Sequence, residues 1–257
     1  MNRLTQLFQN KTGKILSVYF TAGYPTLTGT VSILEALESR GVDLAEVGIP
    51  FSDPMADGPV IQQSAGEALR NGMSLKLLFE QLKEVRTTVK MPLVMMGYLN
   101  PIMQYGFAKF CSSCAEVGID GVIIPDLPFA DYLANYKAIA DSHDLKMIML
   151  VSPETEEKRI RLIDEHTEGF IYLVSSASTT GAQQAFDDGK QAYFTRVAGM
   201  KLRNPLLVGF GISNKATLDA ASAHTRGAIV GSKFIQLLGQ CATADEAVSE
   251  LLKALQN

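Results

Sequence analysis

Apolar runs of strand length recur eight times along this 257-residue chain, each followed by a loop and then a helical pattern. They lie at Leu16–Phe20, Leu44–Ile49, Pro92–Met96, Gly121–Ile124, Lys146–Val151, Phe170–Val174, Leu206–Gly209 and Ala228–Val230. Between them, spacings such as Leu75, Leu78, Phe79, Leu82 and Val85 follow a helical period. Eight strand–helix units in about 250 residues describe an α/β chain of the (β/α)8, or TIM-barrel, class. A doubly wound open sheet is the rival. It calls for a glycine-rich dinucleotide fingerprint after the first strand, where this chain has Thr21-Ala22-Gly23-Tyr24-Pro25. No linker or low-complexity segment divides the units, so residues 1–257 are expected to form a single barrel domain. The opening residues lack the continuous apolar core of a signal peptide. They read as an additional N-terminal helix resting on Leu4, Leu7 and Phe8. Ser152, Pro153 and Glu154 read as an N-cap, a proline at N1 and an acidic first turn. Thr243 and Glu246 read as a capping box.

Composition narrows the function classes. Hydrophobic residues make up 47% of the chain, enough for a large core. The net charge is -4 and no basic run stands out, which argues against a nucleic-acid partner. No apolar stretch approaches the roughly 18 residues of a membrane span. Three cysteines, an odd and small number, point to a reducing compartment and hence to the cytoplasm. Cys111 and Cys114 form a CxxC, but on an expected helix between Phe107 and Val117, where small half-buried residues are the simpler reading. His143 and His166 precede strands and His224 ends a helix, so no metal set is expected.

In a barrel of this class, chemistry sits at the C-terminal ends of the strands. The second run ends there with an acid in an apolar strand. Ala45, Val47 and Ile49 share one face, while Leu44, Glu46 and Gly48 share the other. A glutamate is rarely buried without a partner or a task, and Gly48 leaves room for a ligand or a backbone to approach. The loop beyond offers Asp53 and Asp57, and Asp126 follows the fourth run; turn or capping chemistry fits each as well as catalysis does. Burial would raise the pKa of Glu46, whereas Asp57, on a loop, should stay ionised and accept a ligand N–H. Gly209-Phe210-Gly211-Ile212-Ser213 and Gly231-Ser232 follow the last two strands, where backbone N–H groups bind phosphate in this fold. The small, hydroxyl-rich segment Ser175–Gly181 reads as a lid or as an ordinary loop. Alternation groups Ser17, Tyr19 and Thr21, and also Phe170, Tyr172 and Val174. If these faces point inward, Glu46, Tyr19 and Tyr172 surround an apolar pocket walled by Met96, Ile123 and Phe210, suited to a flat aromatic ligand. A Schiff-base lysine is not favoured, since Lys146 begins its strand and Lys233 sits inside the Gly231 turn.

The stretch Glu46-Val-Gly-Ile-Pro-Phe-Ser-Asp-Pro-Met-Ala-Asp-Gly-Pro59 closely resembles the signature of the tryptophan synthase alpha chain family. The resemblance runs through Thr21–Pro25, Tyr98-Leu99-Asn100-Pro101, Pro125-Asp126-Leu127-Pro128, Tyr172, Thr180-Gly181, Phe210–Ser213 and Gly231-Ser232. It implies retro-aldol cleavage of indole-3-glycerol phosphate to indole and glyceraldehyde 3-phosphate. By position it makes Glu46 the acid/base and Asp57 the residue on the indole N–H. Tyr19, Met96, Ile123, Tyr172, Thr180 and Phe210 would contact substrate. Gly181, Gly211, Gly231 and Ser232 would hold its phosphate. The resemblance also implies a beta chain, in an alpha2-beta2 assembly, that takes the indole and carries pyridoxal phosphate; no cofactor is expected in this chain. Loops Pro50–Pro59 and Asn100–Tyr105 would dock that partner by exposing Phe51, Met55, Ile102 and Met103. Better-known members carry arginine at Ser176, glycine at Ser178 and phenylalanine at Tyr19, which leaves the two carboxylates untouched. Two other readings share the phosphate turns. One is a different barrel enzyme of the same pathway; the other is a phosphate-binding regulatory subunit without turnover.

Overall fold

The computed structural model describes residues 1–175 and 187–256. Its strands are β1 (Ile15–Thr21), β2 (Leu44–Gly48), β3 (Leu93–Met96), β4 (Gly121–Ile123), β5 (Lys146–Ile148), β6 (Leu150–Val151), β7 (Ile171–Val174), β8 (Leu206–Gly209) and β9 (Gly227–Val230). They form one nearly closed parallel sheet in the order β5-β4-β3-β2-β1-β9-β8-β7-β6. Each expected run lands within two residues of a strand, except that the fifth is split at Met149. Its first half pairs with β4 (Ile123 opposite Ile148) and its second with β7 (Leu150 opposite Tyr172). One run therefore serves both edges of the sheet, and this is the fold of a TIM barrel closing on its fifth strand.

Alternation sorts the core into two layers. Val18, Phe20, Ala45, Val47, Leu93, Met95 and Leu173 point outward and bury against the helices. Ile15, Tyr19, Leu44, Val94, Phe170, Tyr172, Leu207 and Ile229 point inward and fill the barrel. The expected N-terminal helix, Arg3–Asn10, closes the bottom. Asn2 caps it by accepting from Leu4 N–H at 2.9 Å. Leu4 is fully buried where Gly121 and Gly169 leave space; a Cβ on either would meet its side chain at 3.3 and 3.0 Å. Asp120, 2% exposed, ties this end together. It accepts from Arg86 at 2.7 Å, from Arg3 at 3.2 Å and from Leu93 N–H at 3.0 Å. A carboxylate so deep is tolerable only with such partners.

Local expectations fared unevenly. Thr243 caps its helix by accepting from Glu246 N–H at 3.1 Å, but Glu246 reaches back to Ala242 N–H instead of completing the box. Ser152 is not an N-cap. Its N–H donates to Thr155 Oγ1 at 3.0 Å in a tight turn, and the helix starts only at Glu157. The helical period at Leu75–Val85 is broken into Leu75–Leu82 and Val85–Thr88. Residues Asn100–Tyr105 are not a loop but most of the helix Leu99–Tyr105, whose first N–H donates to Asp126 Oδ1 at 2.8 Å. Ile102 is accordingly buried, not exposed. Cys111 and Cys114 lie buried on the helix Phe107–Val117, and burial pushes the Cys111 thiol up to about 12, which suits packing. Among the described residues, no helix is long and apolar enough to cross a membrane and no three His, Cys, Asp or Glu side chains cluster as metal ligands.

Candidate active site

β2 carries Glu46 into the barrel directly opposite Tyr19 of β1. The carboxyl is fully buried. Ser17 Oγ donates to its Oε1 at 2.7 Å, and among the described residues its Oε2 has no partner. Burial raises its pKa from 4.5 to about 7, against the opposing pull of the Ser17 bond. The group thus stands near half-ionised at neutral pH, the condition for giving and taking a proton.

Gly48 does not leave space for a ligand, as its missing side chain had suggested. A Cβ there would lie 2.2 Å from the Tyr19 phenol oxygen, so the ring occupies that space. The same device recurs across the barrel, where a Cβ on Gly209 would lie 2.0 Å from the Tyr172 phenol. Two glycines thereby leave room for two tyrosine rings inside the barrel. Burial holds both phenols well above their usual pKa, and Glu46 and Asp57 add to the effect. Both stay protonated.

Asp57 is more enclosed than a loop carboxylate should be, at 6% exposed. The residue that encloses it is Tyr98, just past β3. Its hydroxyl donates to Asp57 Oδ2 and accepts from Ala56 N–H, each at 3.0 Å. Its ring packs on Phe51 with centroids 5.6 Å apart. Burial raises the Asp57 pKa and the Tyr98 bond opposes it. Asp53 is exposed and bonded by its neighbour Ser52. Asp126 caps the helix Leu99–Tyr105. Of the three aspartates that the residue pattern alone left open, only Asp57, the one the resemblance singles out, lines the pocket at the barrel mouth.

A pocket opens there. Tyr19, Tyr172 and Asp57 line its base and side, and Ile61, Met96, Phe210, Ile212 and Ile229 supply apolar walls. Gly211, Gly231, Ser232 and Lys233 line one end. Phe210 and Gly211 are both left-handed, with φ of 70° and 80°, which aims the turn at the pocket. The helix Ser232–Gln240 starts at Gly231 with no side chain capping it, so its end presents backbone N–H groups and a positive dipole. The phenol ring of Tyr172 meets Phe210 edge-on at 6.0 Å. Ile123, opposite Met96 in register, and Glu46, opposite Tyr19, are both fully buried and are not on the pocket wall, so Glu46 sits behind the pocket and does not line it as expected. Of the segment Ser175–Gly181, Ser175 is buried and donates to Phe210 C=O at 2.8 Å, while the rest, Thr180 and Gly181 included, lies outside the described residues.

Sequence reasoning missed Ile61, Ile212, Ile229 and Lys233 as wall residues and Tyr98 as the anchor of Asp57. Tyr98 had a signal, since it stands at the C-terminal end of a barrel strand. A larger groove of about 700 Å3 lies at the other end, under the N-terminal helix. Its Lys146 is already paired with Asp144 at 2.9 Å and Glu168 at 2.6 Å, and that ion pair holds the Glu168 carboxyl below its usual range.

Comparison with known proteins agrees on one family. The family model for the tryptophan synthase alpha chain matches residues 5–257. The tryptophan synthase alpha chain of Parabacteroides distasonis is 69% identical over all of both chains, and that of Phocaeicola vulgatus is 62% identical, again over all of both. Among solved structures, tryptophan synthase subunit alpha from Legionella pneumophila superposes with a TM-score of 0.89 at 33% identity, covering 100% of this chain and 97% of that one. A chain of the tryptophan synthase complex from Pyrococcus furiosus gives 0.85 at 33% identity, covering 94% and 97%.

Proposed function

The chain belongs to the tryptophan synthase alpha chain family, carbon–carbon lyases that split indole-3-glycerol phosphate into indole and glyceraldehyde 3-phosphate, and on that premise we propose that Glu46 and Asp57 carry the cleavage. The observation that carries the reading is the buried Glu46 carboxyl, with one oxygen unpartnered and a pKa raised to about 7.

The chemistry needs two proton movements. A proton added at indole C3 makes the ring an electron sink. A proton leaves the hydroxyl on the adjoining glycerol carbon, whose oxygen becomes the aldehyde. The electron pair of the breaking C–C bond then restores the indole, and no net proton is consumed. One carboxyl poised between its two states serves both movements. Positive charge grows on the indole N–H as C3 is protonated, and Asp57 stabilises it by accepting that hydrogen. Tyr19, Tyr172, Met96 and Phe210 offer an apolar slot for the indole, with Ile123 buried opposite Met96 on the neighbouring strand. Gly211, Gly231 and Ser232 take the phosphate at the helix N-terminus, Lys233 adds a cation nearby, and Thr180 and Gly181 are assigned to the same ligand by family position. The reaction balances without an external electron sink, which supports a chain that needs no cofactor of its own.

The assembly is read as alpha2-beta2, with pyridoxal phosphate in the beta partner. Supporting it, Met55 and Met103 are 84% and 45% exposed. Residues 1–257 are taken as one domain, and three free cysteines favour the cytoplasm. Glu46→Gln should stay folded and lose indole release by about a hundredfold or more. Full activity in that variant would remove Glu46 from the mechanism. A wild type that binds substrate and never releases indole, even with the beta chain, would favour a regulatory subunit.

A further inference from the structure

Ser17 lies on the inward face of β1, fully buried, with Leu44 and Ile229 as its register neighbours. That layer is apolar, and alanine would fill it as well as serine does. A hydroxyl there needs a partner, and its proton goes to Glu46 Oε1 at 2.7 Å. The other carboxyl oxygen, Oε2, is buried and has no partner among the described residues. A serine has one proton to give. Committed to Oε1, it makes that oxygen the poorer base, so a proton taken up by the carboxyl goes to Oε2.

We propose that Ser17 is a positioning residue for the cleavage: it holds the Glu46 carboxyl in one orientation and reserves Oε2 for the proton exchanged with substrate. This rests on Glu46 being the acid/base. Ser17 acts through Glu46, to which its one proton is given.

The surroundings of Glu46 make the effect measurable. Tyr19 from β1 and Tyr172 from β7 are the titratable groups facing it, and both are held neutral by burial. From β3, β8 and β9 the inward side chains Val94, Leu207 and Ile229 are apolar. Asp57 and Lys233 are the charged groups on the pocket wall. Among the described residues, the Ser17 bond is what opposes the burial-driven rise of the Glu46 pKa.

The test is the pH profile of indole release from indole-3-glycerol phosphate in wild type, Ser17→Ala, Ser17→Thr and Ser17→Val. Ser17→Ala should move the Glu46 limb up by about one pH unit, the effect of losing a hydrogen bond to a charged group. Thr retains the hydroxyl and should restore the limb, whereas Val, of the same shape, should shift it as Ala does. A limb that stays in place in Ala and Val, or that moves equally in Thr and Val, overturns the proposal. Should Ser17→Ala fail to fold, the Thr–Val comparison alone decides. Glu46→Gln in parallel separates the two ideas. If it is fully active, the acid/base reading fails and takes this one with it. If it is inactive while the Ser17 limbs do not move, only the Ser17 proposal fails.

Discussion

Glu46→Gln should make the protein more stable above neutral pH, and by an amount set by burial. Glu46 titrates at about 7 in the folded chain against an ordinary 4.5. A carboxyl whose pKa is raised on folding holds its proton more tightly in the native state. Its contribution is full below pH 4.5 and is lost as pH rises through 7. At about 1.4 kcal/mol for each pH unit between the two values, ionising Glu46 costs the native state about 3 kcal/mol by pH 8.5. Glutamine stays neutral throughout. Its amide oxygen can accept from Ser17 Oγ, while its nitrogen replaces the unpartnered Oε2 and is itself left without a partner. That last cost, about 1–3 kcal/mol, does not vary with pH and cancels in a comparison across pH. Urea unfolding of wild type and variant at pH 5 and pH 8.5 measures the rest. The variant should gain about 2–3 kcal/mol on wild type between the two conditions. Asp57 is common to both proteins and drops out. A stability difference that is the same at both pH values would refute the burial argument, whatever happens to activity.

Tyr98→Phe keeps the ring on Phe51 but removes the donor to Asp57 and the acceptor for Ala56 N–H. It should raise the Asp57 pKa further, lower kcat/KM and cost about 1–3 kcal/mol; an unchanged kcat/KM and pH profile would count against the anchoring role. Asp120→Ala strips Arg86 and Leu93 N–H of a buried partner and should cost about 3–5 kcal/mol in urea unfolding, while a loss below about 1 kcal/mol would mean the clamp is decorative. Gly209→Ala sets a methyl 2.0 Å from the Tyr172 phenol, so it should raise KM for indole-3-glycerol phosphate and destabilise by about 1–3 kcal/mol; wild-type KM would show that the ring moves freely. Met55→Asp, at an 84% exposed site, should leave stability within about 0.5 kcal/mol yet weaken co-purification with the beta chain, and equal recovery would move the docking surface elsewhere.

Much of the barrel was legible because its signals are local. Strand periodicity depends on neighbours two residues apart, so β2 and the inward face of Glu46 could be read from Leu44–Ile49 alone. The N-terminal helix was equally plain in the spacing of Leu4, Leu7 and Phe8. The errors were of another kind. Ser152 and Asp126 both look like caps of the helix that follows them; one sits in a turn and the other caps a helix 27 positions earlier. Side-chain hydrogen bonds choose among partners that only the folded chain brings near.

The sequence by itself determined a parallel α/β barrel with an acid on an inward strand face and glycine turns after the last two strands. Tertiary structure decided what that acid can do. The split at Met149 follows from sheet closure, which is a property of all the strands together. The spaces at Gly48 and Gly209 belong to Tyr19 and Tyr172, from other strands. Asp57 is set apart from Asp53 by Tyr98, 41 positions away. The Glu46 pKa arises from desolvation by the whole interior and one bond from Ser17, 29 positions away. Desolvation depends on what encloses a group in space, and no window of sequence carries that information.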